Sequence, residues 1–258
     1  MPVRSLLVAA MLCTSPLPGQ ADALAEGSSA MARHALPQAR ALLEVALAQE
    51  PASYEANWRL AHVLVDLGKQ SPDSIGGPGR DSLYLLAVSY ARRAVAANPE
   101  GADGHFVLAN ALGRHALTLS RRERLRLAME IRTEALRALG SDPAHAGAYH
   151  VLGRWHAEIM RLSGVERFVA RTLMGGAIVE LASWEEAERN LRFAVQHGPD
   201  RIFHRLDLAR VLIDRGNAAT AQDQLEAIGR MKLIEPMDTV YQREAAVMLQ
   251  HLHDGHRS

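Results

Sequence analysis

Twelve histidines invite a metal reading, because neutral imidazole is a common ligand for transition metals. Their spacing does not support it. No H-E-x-x-H and no paired C-x-x-C occurs. His150 and His156 stand six apart, on different faces of a helix, and His251, His253 and His256 sit in a terminal H-L-H-D-G-H that reads as a solvated tail. Nucleophilic and phosphate chemistry fare no better, since G-x-S-x-G, the P-loop and G-x-G-x-x-G are all missing. Glu185 and Glu186 point about 100° apart as helical neighbours and do not make an acid–base pair. The arginine run from Arg121 to Arg126 is interrupted by Glu123 and Leu125 and reads as an exposed helix face. The expectation is a protein that is not an enzyme, with no metal and no cofactor.

The composition says which elements must carry any site. In 258 residues there are 43 Ala and 35 Leu but only 5% aromatics, which favours helices and excludes an all-β sandwich or barrel. Lys plus Arg and Asp plus Glu both total 29, so the chain has no net charge to attract nucleic acid or an anionic membrane. The first 25 residues read as a signal peptide: Arg4, an apolar stretch from Ser5 to Leu12, then Ala21-Asp-Ala-Leu-Ala25 as the cleavage signal. Export to the periplasm or beyond follows as an expectation. The only cysteine, Cys13, lies in this segment behind Leu12, so lipidation there is weakly signalled and the processed chain has no thiol.

Internal periodicity gives the architecture. Ala39, Leu43, Ala46 and Pro51 recur as Ala87, Ala91, Ala94, Pro99, as Ile131, Ala135, Ala138, Pro143, and as Ala187, Leu191, Ala194, Pro199. Ala221, Leu225, Ile228 and Pro236 form a late fifth set. Offsets of four and three put these side chains on one helical face, and the proline closes the helix. Four of the sets follow a second pattern: Leu60-Ala61, Leu108-Ala109, Leu152-Gly153 and Leu208-Ala209, with Gly68 and Gly216 expected to end their helices in left-handed turns. Together they spell the tetratricopeptide helix–turn–helix. The closing prolines are 48, 44, 56 and 37 residues apart, longer than the usual repeat of about 34. The excess falls in the loop Lys69 to Arg80, in residues 114–130, and in residues 160–180, where Val165, Phe168, Val169 and Leu173 predict an extra helix. The expected fold is an all-α tetratricopeptide solenoid with an inserted helix in its third full repeat and a capping helix from about Asp238 to Leu252. Its divisions are 1–25 signal peptide, 26–52 N-terminal helices forming a half repeat, 53–236 repeat domain, and 237–258 cap and tail.

The order of these irregularities resembles the regulator of microtubule dynamics family, tetratricopeptide proteins of eukaryotes with many bacterial relatives. The resemblance covers about residues 38–252. It is carried by ARRAVAANP, AYHVLGRWHAEI, the insertion, and SWEEAERNLRFAVQHGP, with Leu152-Gly153-Arg154-Trp155 and Trp184-Glu185-Glu186-Ala187 as its most specific parts. Gly175-Gly176 stands where the family has a proline-containing link. The resemblance implies a helical-repeat fold and a non-enzymatic binding role. An exported chain does not meet cytoplasmic microtubules, so the family's name is not expected to describe its function.

The first helix of each stacked pair lines the concave surface. Residues two before and two after each Leu-Ala or Leu-Gly leucine should therefore face the groove: Trp58 and His62, Phe106 and Asn110, His150 and Arg154, Leu206 and Arg210. Arg154 and Arg210 are suited to a carboxylate or phosphate, and Trp58 and Phe106 to apolar groups. Two functions are compatible with that lining. One is a scaffold capturing a peptide or protein partner; the other is a carrier of a lipid or other anionic amphiphile, enclosed by the inserted helix. The terminal cap favours a monomer.

Overall fold

The computed structural model describes residues 18–70, 78–174 and 177–255. Thirteen helices occur among them and no strand. They stack as antiparallel hairpins: α1 (Pro18–Ala32) with α2 (Leu36–Gln49), α3 (Tyr54–Lys69) with α4 (Pro78–Ala97), and α5 (Ala102–Ala116) with α6 (Arg121–Ser141). The next hairpin is α7 (Ala146–Met160) with α10 (Trp184–His197), followed by α11 (Ile202–Asp214) with α12 (Ala218–Gly229). α13 (Asp238–Gly255) covers α11 and α12. The insertion α8 (Gly164–Met174) and α9 (Ala177–Glu180) thus interrupts the fourth hairpin, between its two helices, within the long third interval between closing prolines.

The periodic residues form the spine of the stack. Ala39, Leu43, Ala87, Ala91, Ala135, Leu191, Ala194, Leu225 and Ile228 are essentially inaccessible. Alanine at so many of them lets neighbouring backbones approach closely, and Gly153 marks one close crossing. A Cβ there would lie 2.5 Å from Leu191 Cγ, so α7 and α10 meet at a distance only glycine allows. Gly216 has φ +77° and ends α11 as expected, the Asn217 amide reaching back to Leu212 O. Gly68 does not. It lies inside the last turn of α3, where its missing side chain makes room for the Tyr84 ring.

A recurring hydrogen bond sets the start of each inner helix. Asn57 Nδ2 donates to Pro51 O, His105 Nε2 lies 2.7 Å from Pro99 O, and Tyr149 Oη donates to Pro143 O. His204 Nδ1 makes the same six-residue reach to Gly198 O. Proline leaves the turn carbonyl outside any helix, and a side chain one turn into the next helix satisfies it. The basic run Arg121–Arg126 begins α6 behind a capping box of Ser120 and Glu123, with Arg122 and Arg124 exposed and Leu125 buried.

Two parts of the sequence reading change. The inserted segment is two short helices, and Val165 and Phe168 neither fold over the groove nor pack on a repeat: they are 76% and 68% exposed. The insertion is held instead by Ala170 and Ile178, which are buried, while Val169 and Leu173 fall outside the described side chains. At the N-terminus α1 runs continuously through Ala25, and Ala23 and Ala30 are both core residues of a full hairpin rather than a half repeat. Residues 1–17, Cys13 included, lie outside the described residues, as does the loop 71–77.

Candidate functional site

The inner helices enclose a concave groove of about 690 Å³. Its curvature is tight enough to bring Lys69 Nζ of α3 within 6.0 Å of the Phe203 ring centre on α11. Half of the twelve histidines line it: His34, His62, His145, His150, His197 and His204. Most charges in its wall are paired locally. Lys69 bonds Asp66 at 2.8 Å, Arg201 pairs with Glu235, and His145 Nε2 lies 3.6 Å from Asp103.

Beneath the wall runs a buried ion network. Asp207 of α11 receives His150 Nε2 at 3.2 Å, Arg154 at 3.7 Å, and Arg210, which also binds Glu244 of α13. Burial alone would raise the Asp207 pKa, but Arg154, His150 and Arg210 outweigh it and hold the carboxylate well below its usual range. Burial keeps His150 neutral despite Asp207, so its proton sits on Nε2 and Nδ1 carries a lone pair. His204 is pulled down to about 3 by burial and then by His150, and donates Nδ1–H to Gly198 O, leaving Nε2 bare as well. The two rings lie 5.0 Å apart, and neither free nitrogen has a partner among the described residues.

A second cavity of about 390 Å³ opens between α5, α6, α7 and the start of α8. Its walls are apolar, with Leu117, Leu125, Ile131, Trp155, Ile159 and Leu162, and its rim carries Arg114, Arg124, Arg154 and Arg161 beside Glu158 and Glu166. Asn110, Arg114, His150 and Val151 line both cavities, so they form the shared wall. Arg114 differs from the other rim arginines: Arg161 bonds Asp214 and Glu158, Arg154 reaches Glu158 and Asp207, and Arg124 bonds Leu119 O. The Arg114 guanidinium has no hydrogen bond or ion pair among the described residues.

Of the eight expected groove residues, His62, Phe106, Asn110 and His150 line the groove, and Arg154 lines the inner cavity. Leu206 and Arg210 do not reach either. α13 packs over that part of α11, burying Leu206 with Ala245 and engaging Arg210 through Glu244. Trp58 also lies outside both cavities; its indole donates to Glu55 and Arg59 stacks 4.2 Å over it. Sequence reasoning missed Arg114, one turn beyond Asn110, and Phe203, His204 and Tyr241. Continuing the four-residue step along α5 would have found Arg114, but nothing local marks the other three. Among the described residues no cluster of three or more His, Cys, Asp or Glu could hold a metal, and no helix is long and apolar enough to cross a membrane.

The family of regulator of microtubule dynamics protein 1-3 matches residues 17–253. The chain belongs to that family. The match spans α1 to α12 in full and most of α13, so both cavities lie inside the regulator-of-microtubule-dynamics region. A search of curated protein sequences finds no match. Among solved structures, a thermophilic tetratricopeptide protein of Thermus thermophilus is 20% identical, with a TM-score of 0.62 over 90% of this chain and 99% of its own. PilF of Pseudomonas aeruginosa is 15% identical, with a TM-score of 0.48 over 92% and 93%. At these identities the likeness to the Thermus protein establishes the helical-repeat fold of this family member and nothing finer.

Proposed function

We propose that this family member is an exported, non-enzymatic binding scaffold whose concave groove captures a segment of a partner polypeptide. The observation that carries the reading is the groove itself: about 690 Å³ lined by aromatic, polar and charged side chains, among them Arg114, whose guanidinium makes no hydrogen bond or ion pair among the described residues. Buried polar groups are costly when unpaired, and a peptide supplies both donors and acceptors along its backbone. Export is part of the same proposal. Because α1 begins at Pro18 and places Ala23 in the core, processing that preserves the first hairpin would cut upstream of Ala25. N-terminal sequencing of the envelope protein is expected to start before Ala23.

The inner cavity favours a second reading, a carrier of an anionic amphiphile, because apolar walls beneath an arginine rim suit an apolar tail and an acidic head. Val165 and Phe168 lend it no support, since they are exposed rather than turned inward. Native mass spectrometry of the protein purified without detergent from its own cell envelope separates the two. The scaffold reading expects a bound polypeptide or none of lipid mass. A lipid-mass adduct released by organic solvent would replace it with the carrier.

A further inference from the structure

The stack has an edge that the groove does not use. Each hairpin is antiparallel and the inner helices follow one another in the same direction, so the connections within successive hairpins lie along one edge. Two neighbouring connections there are the turn from α5 to α6 and the insertion α8–α9, and Leu117, Arg124 and Glu166 place both beside the inner cavity. α8 inverts the usual pattern of a surface helix, whose apolar stripe faces the core. Among its described side chains Ala170 is buried, while Val165 and Phe168 face solvent. Leu117 and Leu181 are exposed on the same two connections. Arginine gathers beside these apolar groups. Residues 117–126 and 161–183 hold seven arginines and three glutamates in a chain with no net charge. Arg122, Arg126 and Arg171 are exposed and make no hydrogen bond or ion pair among the described residues.

We propose that this edge docks on an anionic lipid surface, with α8 lying in the interface. The proposal goes beyond the scaffold reading and does not depend on it, since Arg122, Val165, Phe168 and Arg171 line neither cavity. At 11 residues α8 is too short to span a bilayer, but an apolar face flanked by arginine suits the boundary between headgroups and acyl chains. There the guanidinium groups take lipid phosphates and the Phe168 ring enters the apolar layer beneath them. A protein partner would need a pocket to seat its anchor side chain, which this convex helix face does not supply; a fluid lipid surface needs none.

Vesicle co-sedimentation of the protein purified from its cell envelope tests this with two compositions, phosphatidylcholine alone and phosphatidylcholine mixed with phosphatidylglycerol. Wild type should partition about tenfold or more better onto the anionic vesicles, and about 0.5 M salt should remove the difference. Phe168→Asp should lower that partition about tenfold or more, with an unchanged circular dichroism melt because the ring is exposed in the fold. Arg122→Gln combined with Arg171→Gln should reduce anionic vesicles to the level of neutral ones. With Cys13, the only cysteine, replaced by Ser, a polarity-sensitive dye on Val165→Cys should shift to the blue on anionic vesicles, and one on the exposed Gln196→Cys should not. Equal sedimentation of wild type and Phe168→Asp, or an unshifted dye at position 165, would overturn the proposal. So would a shift that appears without vesicles and fades on dilution, which would put a second copy of the chain on this face.

Discussion

Asp207 is the residue on which most of the buried charge depends, since His150, Arg154 and Arg210 all converge on it from two helices. Asp207→Asn would remove the buried anion that Arg154 and Arg210 share and leave them only the more exposed Glu158 and Glu244, so the loss should fall at or below the about 3–5 kcal/mol that breaking a buried pair costs. Urea unfolding at pH 7 is expected to show a loss of that order. The buried histidines set the pH dependence. Burial lowers His156 to about 4 and His204 to about 3, both beneath the ordinary value of 6.5. The unfolded chain therefore takes up protons first as the pH falls. Stability is full above about 6.5 and declines toward 4 for His156 and toward 3 for His204, at about 1.4 kcal/mol per pH unit for each group. The urea midpoint at pH 5 should lie well below that at pH 7.5, and His156→Gln should narrow the gap. Equal midpoints would show that these rings are not buried neutral. Asp207 acts in a different window: its pKa is depressed, so its contribution persists above the ordinary carboxylate range and is lost only below it.

At the scale of the helices, the contact between α7 and α10 is a tight constraint that a single glycine marks. Gly153→Val would push branched carbons into Leu191 and the Ala187 carbonyl, and overpacking of this kind costs about 1–3 kcal/mol. Phe168→Ala should change stability by less than about 0.5 kcal/mol, because the ring is exposed on α8. A chain ending at Met237 would uncover Leu206, Leu225 and Ile228, and is expected to melt lower and to bind a hydrophobic dye. These elements are legible in the sequence because a helix writes its packing face locally. Leu-Ala pairs, the four-and-three spacing and the closing prolines all act within about ten residues. The position of the insertion between α7 and α10 is legible for the same reason. Its orientation is not, since Val165 and Phe168 read as a packing stripe and only the stacked repeats determine whether anything lies opposite them.

At the scale of the whole molecule, a groove belongs to the superhelix rather than to any one helix. His62, Phe106, Asn110 and His150 can be found by applying one register to each repeat. The rule fails at Leu206 and Arg210 because α13 covers α11 there, moving the groove lining back to Phe203 and His204. It stops short of Arg114, which lies one turn beyond the last position the register names on α5. The central claim is that ligand meets this protein on the concave face. The direct measurement is site-specific photo-crosslinking in the intact envelope, with the photoreactive residue at Asn110 in the groove wall or at the exposed Gln196 outside both cavities. The account predicts a discrete polypeptide adduct from Asn110 and none from Gln196. Adducts from Gln196 with Asn110 silent would place binding on another face and contradict it.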